Sequence, residues 1–352
     1  MLVTKRCPVI LILFFIGLSC KNDDLNTKEL LFWCSNNNGE IKLSTQFVNA
    51  WNASNTNHKV HVQHITEGQS SEEVILAAVV GKTTPDIYGN MWQGIVEMYA
   101  QAKALIALDT LAGFLDFIYE RCDSAVIKEI TSTDGHIYQV PWKVNPIITI
   151  YNKNIFASNG ISELPKTYSA YTNAAAIIKN NTKSNTVQKR FGYTAVILIW
   201  YEMLFNFYPL YLAASGGGNL IKENRAVFNN NYAIGVFSFL QNLYSNDYFS
   251  KESAAASEDI FVAQTIATKW TGPWEISYLN NIPNLGFEYG YYEQIVPDNH
   301  LGEVYTYADP KNIVIFNTCE ILKEHGIYEN LIIKKPTCSY CRKPANYHAV
   351  KI

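Results

Sequence analysis

The chain has 352 residues, 48% of them hydrophobic and 17% charged, with a formal net charge of -3. That length exceeds what one hydrophobic core comfortably serves, so two lobes are expected. The mildly acidic balance argues against nucleic acid, which takes basic surfaces.

Lys5 and Arg6 precede an apolar run from Val9 to Leu18, followed by Ser19, Cys20 and the polar stretch Lys21–Asp24. A basic start, about ten apolar residues and a small residue at the break read as a secretory signal over residues 1–20. The run is too short for a bilayer span, which needs roughly 20 apolar residues. A Cys directly after the cleavage point resembles the bacterial lipoprotein signal, with Gly17 standing where a bulky aliphatic is usual. The resemblance implies that Cys20 becomes a lipid-carrying N-terminus, palmitate included, and that residues 21–28 tether an extracytoplasmic protein to a membrane. Plain secretion with an unmodified Cys20 is the alternative. Outside the cytoplasm there is no bulk ATP or nicotinamide cofactor, and no cofactor is expected. Beyond Cys7 and Cys20 the cysteines are Cys34, Cys122, Cys319, Cys338 and Cys341, an odd number without the spacing of a disulfide scaffold. Structural zinc usually takes two Cys pairs; only Cys338 and Cys341 form one, so no metal is expected.

Leu30–Trp33 reads as a buried strand ended by Ser35–Gly39. Ile41–Ser54 has helical spacing, with Leu43, Phe47, Val48 and Trp51 on one face. Val60–Ile65 alternates as a strand, Ser70–Gly81 is helical, Asp86–Tyr88 is a short strand and Gly94–Leu105 a further helix. Strands alternating with helices predict an α/β lobe with a largely parallel sheet. Tyr138–Pro141 and Ile147–Tyr151 read as strands, and Lys153–Asn159 and Tyr168–Asn180 as helices. Helical patterns continue over Tyr193–Leu212 up to Gly216–Gly218, and Tyr232–Asn246 is another. Ile266–Lys269 and Asn312–Phe316 complete the strands. Aromatic residues make up 13% of the chain, including 23 Tyr and 7 Trp. Their flat apolar faces with a polar edge suit sugar rings, although most of them belong in a core.

Several short motifs fall in one order: Phe32-Trp33, Thr84-Pro85-Asp86-Ile87, Leu105–Asp109, Tyr138–Pro141 with Tyr151–Lys153, Leu164–Tyr168 after Gly160, Ala214–Gly217 before Val227–Asn229, then Phe261, Ala267 and Thr271-Gly272-Pro273-Trp274. From about Leu30 to Asn317 this order resembles the extracellular solute-binding proteins of ABC importers, in the maltose-binding-like branch for mono- and oligosaccharides. The resemblance implies a two-lobe, type II periplasmic-binding-protein α/β fold with the ligand cleft between the lobes. Residues 29–141 and 299–330 would form one lobe and 142–298 the other, with crossings near Trp142–Asn145 and Gln294–Asp298. A sugar would draw the lobes together, and the closed monomer would dock on the permease subunits of an ABC importer without catalysing a reaction.

In an open α/β sheet, ligands lie beyond the carboxyl ends of the strands. Trp33 and the turn Ser35–Asn38, with Asn36, sit at one such end, and Tyr88–Trp92, read as a loop, at another. Asn36 and Asn90 can pair with hydroxyls, and Trp33 and Trp92 can cover a sugar ring, a core position being the alternative for Trp33. Trp142-Lys143-Val144-Asn145 falls at the crossing and could face the cleft, with Trp142 and Asn145 as the candidate ligand residues. Gly272-Pro273 fixes a tight turn that aims the next side chain; by resemblance, Trp274 stacks on the sugar, with Glu275 beside it. Trp270 is expected in the core. Gly216–Gly218 reads as a helix-ending turn, because no Lys-Ser/Thr follows to make a phosphate cradle. Glu202, Glu275, Glu288 and Glu293 could supply a glycosidase pair, but no catalytic motif surrounds them. An extracellular carbohydrate-active enzyme and a non-transport surface or sensor lipoprotein are the alternatives.

The resemblance stops near Glu320, and Pro336–Pro344 has no helical period. Read one nucleotide upstream, the codons of Ile321–Gly326 can encode Asn/Asp-Pro-Lys/Glu-Gly/Arg-Ala/Thr-Trp, close to the Pro-Glu-x-Ala-Trp helix start that the family carries at this point. A truncated or frameshifted C-terminus is therefore expected, with an atypical tail over 331–352 and a lobe short of packing partners. The nucleotide sequence tests this expectation: family-like helices should appear in the alternative frame after residue 320, and a frame without them rejects it.

Overall fold

Leu30 and Phe32 start the fold, because their side chains and that of Cys34 all point to one buried face of a strand. The computed structural model describes residues 29–65, 69–185, 187–193, 203–223, 225–250, 259–319, 321 and 349–351. The expected signal, Cys20, the tether, Glu202 and the stretch 322–348, with Cys338 and Cys341, lie outside the described residues.

The first unit runs β1 (Leu30–Ser35), α1 (Asn38–Ser54), β2 (Val60–Ile65), α2 (Gln69–Gly81), β3 (Ile87–Trp92), α3 (Gln93–Gln101), α4 (Phe114–Arg121), α5 (Ser124–Ile130) and β4 (Val140–Lys143). The second contains β5 (Ile148–Asn152), α6 (Lys153–Ser158), α7 (Tyr168–Thr182), β6 (Gly192–Tyr193), α8 (Phe207–Ser215), the hairpin β7 (Ile221–Lys222) and β8 (Arg225–Ala226), α9 (Asn231–Ser245), β9 (Phe249–Ser250), β10 (Thr268–Thr271), α10 (Pro273–Asn280) and β11 (Tyr289–Tyr292). β12 (Tyr305–Tyr307), β13 (Lys311–Ile315) and β14 (Ala349–Lys351) follow.

β1 lies between β2 and β3 and parallel to both. The chain therefore leaves β1 on one side and returns on the other, and this reversal opens a crevice at the carboxyl ends of β1 and β3. β13 is inserted antiparallel between β3 and β4, giving the order β2-β1-β3-β13-β4. α1 is held at both ends. Asn37 caps it by accepting from Gly39 N at 2.9 Å, and at the other end the Asn52 side chain brackets Val60, with bonds of 2.9 and 2.8 Å.

The second unit is built on the antiparallel sheet β10-β5-β11, with Trp270 in its core as expected. Tyr171 is fully buried there, its hydroxyl 2.7 Å from Thr268 Oγ1, which donates in turn to the Phe191 carbonyl at 2.8 Å. Burial pushes the Tyr171 phenol far above its ordinary range. Gly216 ends α8 in the left-handed conformation, the helix-ending turn read from the sequence.

Two chain passages join the sheets. The first runs from β4 to β5 through residues 144–147, as expected. The second runs from β12 to β13 through Ala308–Pro310, later than the expected Gln294–Asp298. Val296 is still engaged within the second unit, where its amide donates to Lys166 O at 3.0 Å and it bridges Thr167. The passages run side by side: Asn145 N donates to Ala308 O at 2.6 Å and Ile147 N to Tyr307 O at 3.0 Å. The Ile147 carbonyl accepts from both Gln294 Nε2 (3.0 Å) and Thr306 Oγ1 (2.6 Å). β14 adds antiparallel to β12.

The segment Tyr88–Trp92, expected as a loop, is strand β3. Gly89 and Asn90 are poor strand formers, but a Cβ at Gly89 would stand 2.7 Å from Phe32 Cε2. The missing side chain lets β3 lie flat against the β1 aromatic. Gly89→Ala should overpack this site and cost about 1–3 kcal/mol. Chemical denaturation should show that loss, with partial recovery in Gly89→Ala/Phe32→Leu; equal stability of Gly89→Ala and wild type contradicts it.

Candidate functional site

A cavity of about 480 Å³ opens where the carboxyl ends of β1 and β3 meet α10 and the two passages. It takes its walls from both units. Asn37 and Glu40 come from the start of α1, Glu72 from α2, and Asn90 and Trp92 from β3. Phe205, Trp274 and Ser277 enter from the second unit, and Lys143, Asn145, Asp309 and Lys311 from the passages and their flanks.

The two indoles are seated in the same way. A Cβ at Gly94 would stand 2.2 Å from Trp92 Cη2, and a Cβ at Gly272 2.0 Å from Trp274 Cζ3. Each ring therefore lies over a glycine two residues away. Trp92 Nε1 donates to Tyr307 Oη at 2.8 Å, and burial holds that phenol well above its ordinary value. Trp274 makes an edge contact with Phe205 at 5.7 Å. It also packs with Ile147, Leu212 and Tyr307 in a small cluster at the seam between the units.

The charges are mostly paired. Lys143 Nζ binds Glu40 Oε1, both side chains being half-buried. Lys311 Nζ lies 3.0 Å from Asp309 Oδ1, and Asn145 Nδ2 donates to Asp309 Oδ2 at 3.2 Å. Burial raises the Glu72 carboxyl, against the opposing field of Lys311. Burial, with Glu72 adding to it, pushes the Tyr99 phenol up to about 12. No histidine or cysteine is among the described residues that line the cavity. Among the described residues, no group of three His, Cys, Asp or Glu is placed to hold a metal. The arrangement offers stacking surfaces, amides and carboxylates, which suits recognition of a polar ring.

Four of the expected site residues come together here: Asn90, Trp92, Asn145 and Trp274. The other five lie elsewhere. Trp33 is half-buried against the cluster around Tyr88 and Tyr99, and its Nε1 donates to Gln63 at 3.1 Å. Asn36 is exposed, and its amide donates to Ile65 O at 3.1 Å; the neighbouring Asn37 reaches the cavity instead. Strand alternation sends Trp142 to the side opposite Lys143, where its ring meets Phe47 at 6.0 Å. Gly272 is the seat of Trp274 rather than a ligand group. Glu275 is buried away from the cavity, with both carboxylate oxygens 2.9 Å from Lys269 Nζ. Burial pulls the Lys269 ammonium down, but Glu275 and Asp259 outweigh it and leave it raised; burial leaves Glu275 raised too. Sequence reasoning missed Glu40, Glu72, Asp309 and Lys311, and it placed Lys143 only within the stretch Trp142–Asn145 without singling it out. The alternation of β4 could have signalled Lys143, because Trp142 and Lys143 must face opposite ways.

Residues 39–318 match the family described as bacterial extracellular solute-binding protein. The chain belongs to that family. No helix among the described residues is long and apolar enough to cross a membrane. This solute-binding protein is 28% identical over 166 residues to the diacetylchitobiose binding protein DasA of Streptomyces coelicolor, an alignment covering 46% of this chain and 34% of DasA. Its fold is that of two-lobe binding proteins. The GacH receptor of Streptomyces glaucescens, solved unliganded and with acarbose, superposes with a TM-score of 0.66 at 16% identity, over 86% of this chain and 75% of GacH. The sugar-binding protein MalE of Xanthomonas citri does so with a TM-score of 0.62 at 19% identity, over 88% and 75%.

Gly272→Ala and Gly94→Ala should each push an indole off its seat. Acrylamide quenching of tryptophan fluorescence should rise in both variants. Gly272→Ala in a Trp274→Phe background should show no such rise, and a rise there would contradict the seating.

Proposed function

We propose that this solute-binding protein captures a mono- or oligosaccharide between its two lobes and hands it to an ABC importer. The observation that carries this reading is the pair of indoles in one cavity, Trp92 from the first unit and Trp274 from the second. A ring held between them touches both lobes only when the lobes are close, so ligand binding favours a closed state already present in the equilibrium. Indole faces supply apolar contact to a pyranose, while Asn37, Asn90 and Asn145 can hold its hydroxyls. DasA, GacH and MalE, whose names or descriptions refer to diacetylchitobiose, acarbose and sugar, favour a carbohydrate over other polar solutes. The side-by-side passages supply the hinge, and in our reading Cys20 is the lipid anchor. The chain is read as a monomer that binds its ligand unchanged and carries no cofactor.

A thermal-shift screen of mono- and disaccharides, followed by calorimetry of the hits, tests the proposal. At least one sugar should raise Tm. Trp274→Ala and Trp92→Ala should each weaken its binding about tenfold or more by removing a stacking face, and the sugar should be recovered intact. A released product would instead favour a carbohydrate-active enzyme.

A further inference from the structure

We infer that the cleft accepts an uncharged, hydroxyl-rich solute and turns away its phosphorylated and carboxylated forms, with Glu72 as the specificity-determining residue. The inference rests on sugar capture in this cleft, as proposed above, and narrows it.

Sites for phosphate or carboxylate groups are made from unpaired cations and free helix N-termini. Among the described residues the cavity wall holds two cations, and each already has a carboxylate on it: Glu40 on Lys143, and Asp309 on Lys311 at 3.0 Å. Helices α1, α2 and α10 all begin at the cavity, and each carries an acid in its first turn: Glu40, Glu72 and Glu275 respectively. Those acids take up the positive ends of the helix dipoles. The fourth helix start, that of α3, lies under the Trp92 indole folded onto Gly94.

Glu72 is the carboxylate left over. It makes no hydrogen bond or close ion pair among the described residues, and Lys311 acts on it only as a field. Tyr99 also lines the cavity and is 1% exposed, and its hydroxyl has no hydrogen-bond partner among the described residues. The phenol thus leaves the Glu72 oxygens free. A ligand hydroxyl can donate to that carboxylate. A phosphate or carboxylate in the same place meets a like charge, with no unpaired cation among the described lining residues to answer it.

The test is calorimetry of the full chain against matched probes: glucose and glucose 6-phosphate, galactose and galacturonate, N-acetylglucosamine and its 6-phosphate, and maltose and maltose 6′-phosphate. At least one neutral sugar should bind, and its charged counterpart should bind about 100-fold more weakly or not at all. Glu72→Gln should narrow that ratio about tenfold, and Glu72→Lys should make binding of the charged form measurable, with Tm of the unliganded protein little changed in Glu72→Gln. The ratio is the readout that a merely structural role would not move. A charged sugar that binds as well as its neutral partner overturns the inference, as does a ratio unmoved by both substitutions, and sugar capture survives either result. If no sugar binds, neutral or charged, sugar capture itself is refuted and this inference falls with it.

Discussion

The cleft depends on how two short chain passages are bonded to each other. Residues 144–147 and Ala308–Pro310 carry the backbone between the sheets. The bonds from Asn145 N to Ala308 O and from Ile147 N to Tyr307 O hold them as one strap. Gln294 and Thr306 both donate to the Ile147 carbonyl, so the buried end of the strap is fixed, while at the other side of the cavity Gly39 at the start of α1 lies close to Ser277 of α10. In the proposed function this strap is the hinge about which the lobes open and shut the cavity.

Several groups in the cavity are tied to this strap. Asn145 and Asp309 lie on the strap itself and are bonded to each other at 3.2 Å. Trp92 reaches in from β3 and is tied by its Nε1 to Tyr307 at the end of β12, so the first indole is anchored to the strap as well. Trp274 arrives at the start of α10 and packs into the seam cluster with Ile147 and Tyr307. Glycine at positions 94 and 272 is required by close approach rather than by backbone conformation, since neither has a positive φ. The Lys269–Glu275–Asp259 ion-pair network then locks β10 to α10 just behind Trp274.

Much of the fold was legible in the sequence. The 3.6-residue and two-residue periods from Leu30 to Gln101 produced helices and strands close to where the pattern placed them, because each of those elements has one buried side. The segment Tyr88–Trp92 was misread because its strand character comes from tertiary contact, Gly89 lying against Phe32, and not from propensity. The site was only partly legible. Trp92 and Trp274 stand out because each follows a turn signal in the sequence, Gly89-Asn90 and Gly272-Pro273. Lys143, Glu72 and Asp309 do not, since a charged residue on an amphipathic element looks the same whether it faces solvent or a cleft. The return passage was misplaced because nothing in Gln294–Asp298 shows that Val296 is still bridged to Thr167.

The central proposal is that a sugar draws the two lobes together across the cavity. The most direct measurement is the distance distribution between spin labels at Leu43 on α1 and Tyr278 on α10, both exposed, introduced as cysteines with Cys20, Cys338 and Cys341 replaced by serine. Saturation with a sugar that binds should shorten and narrow the distribution. A distribution left unchanged by a bound sugar would contradict the claim.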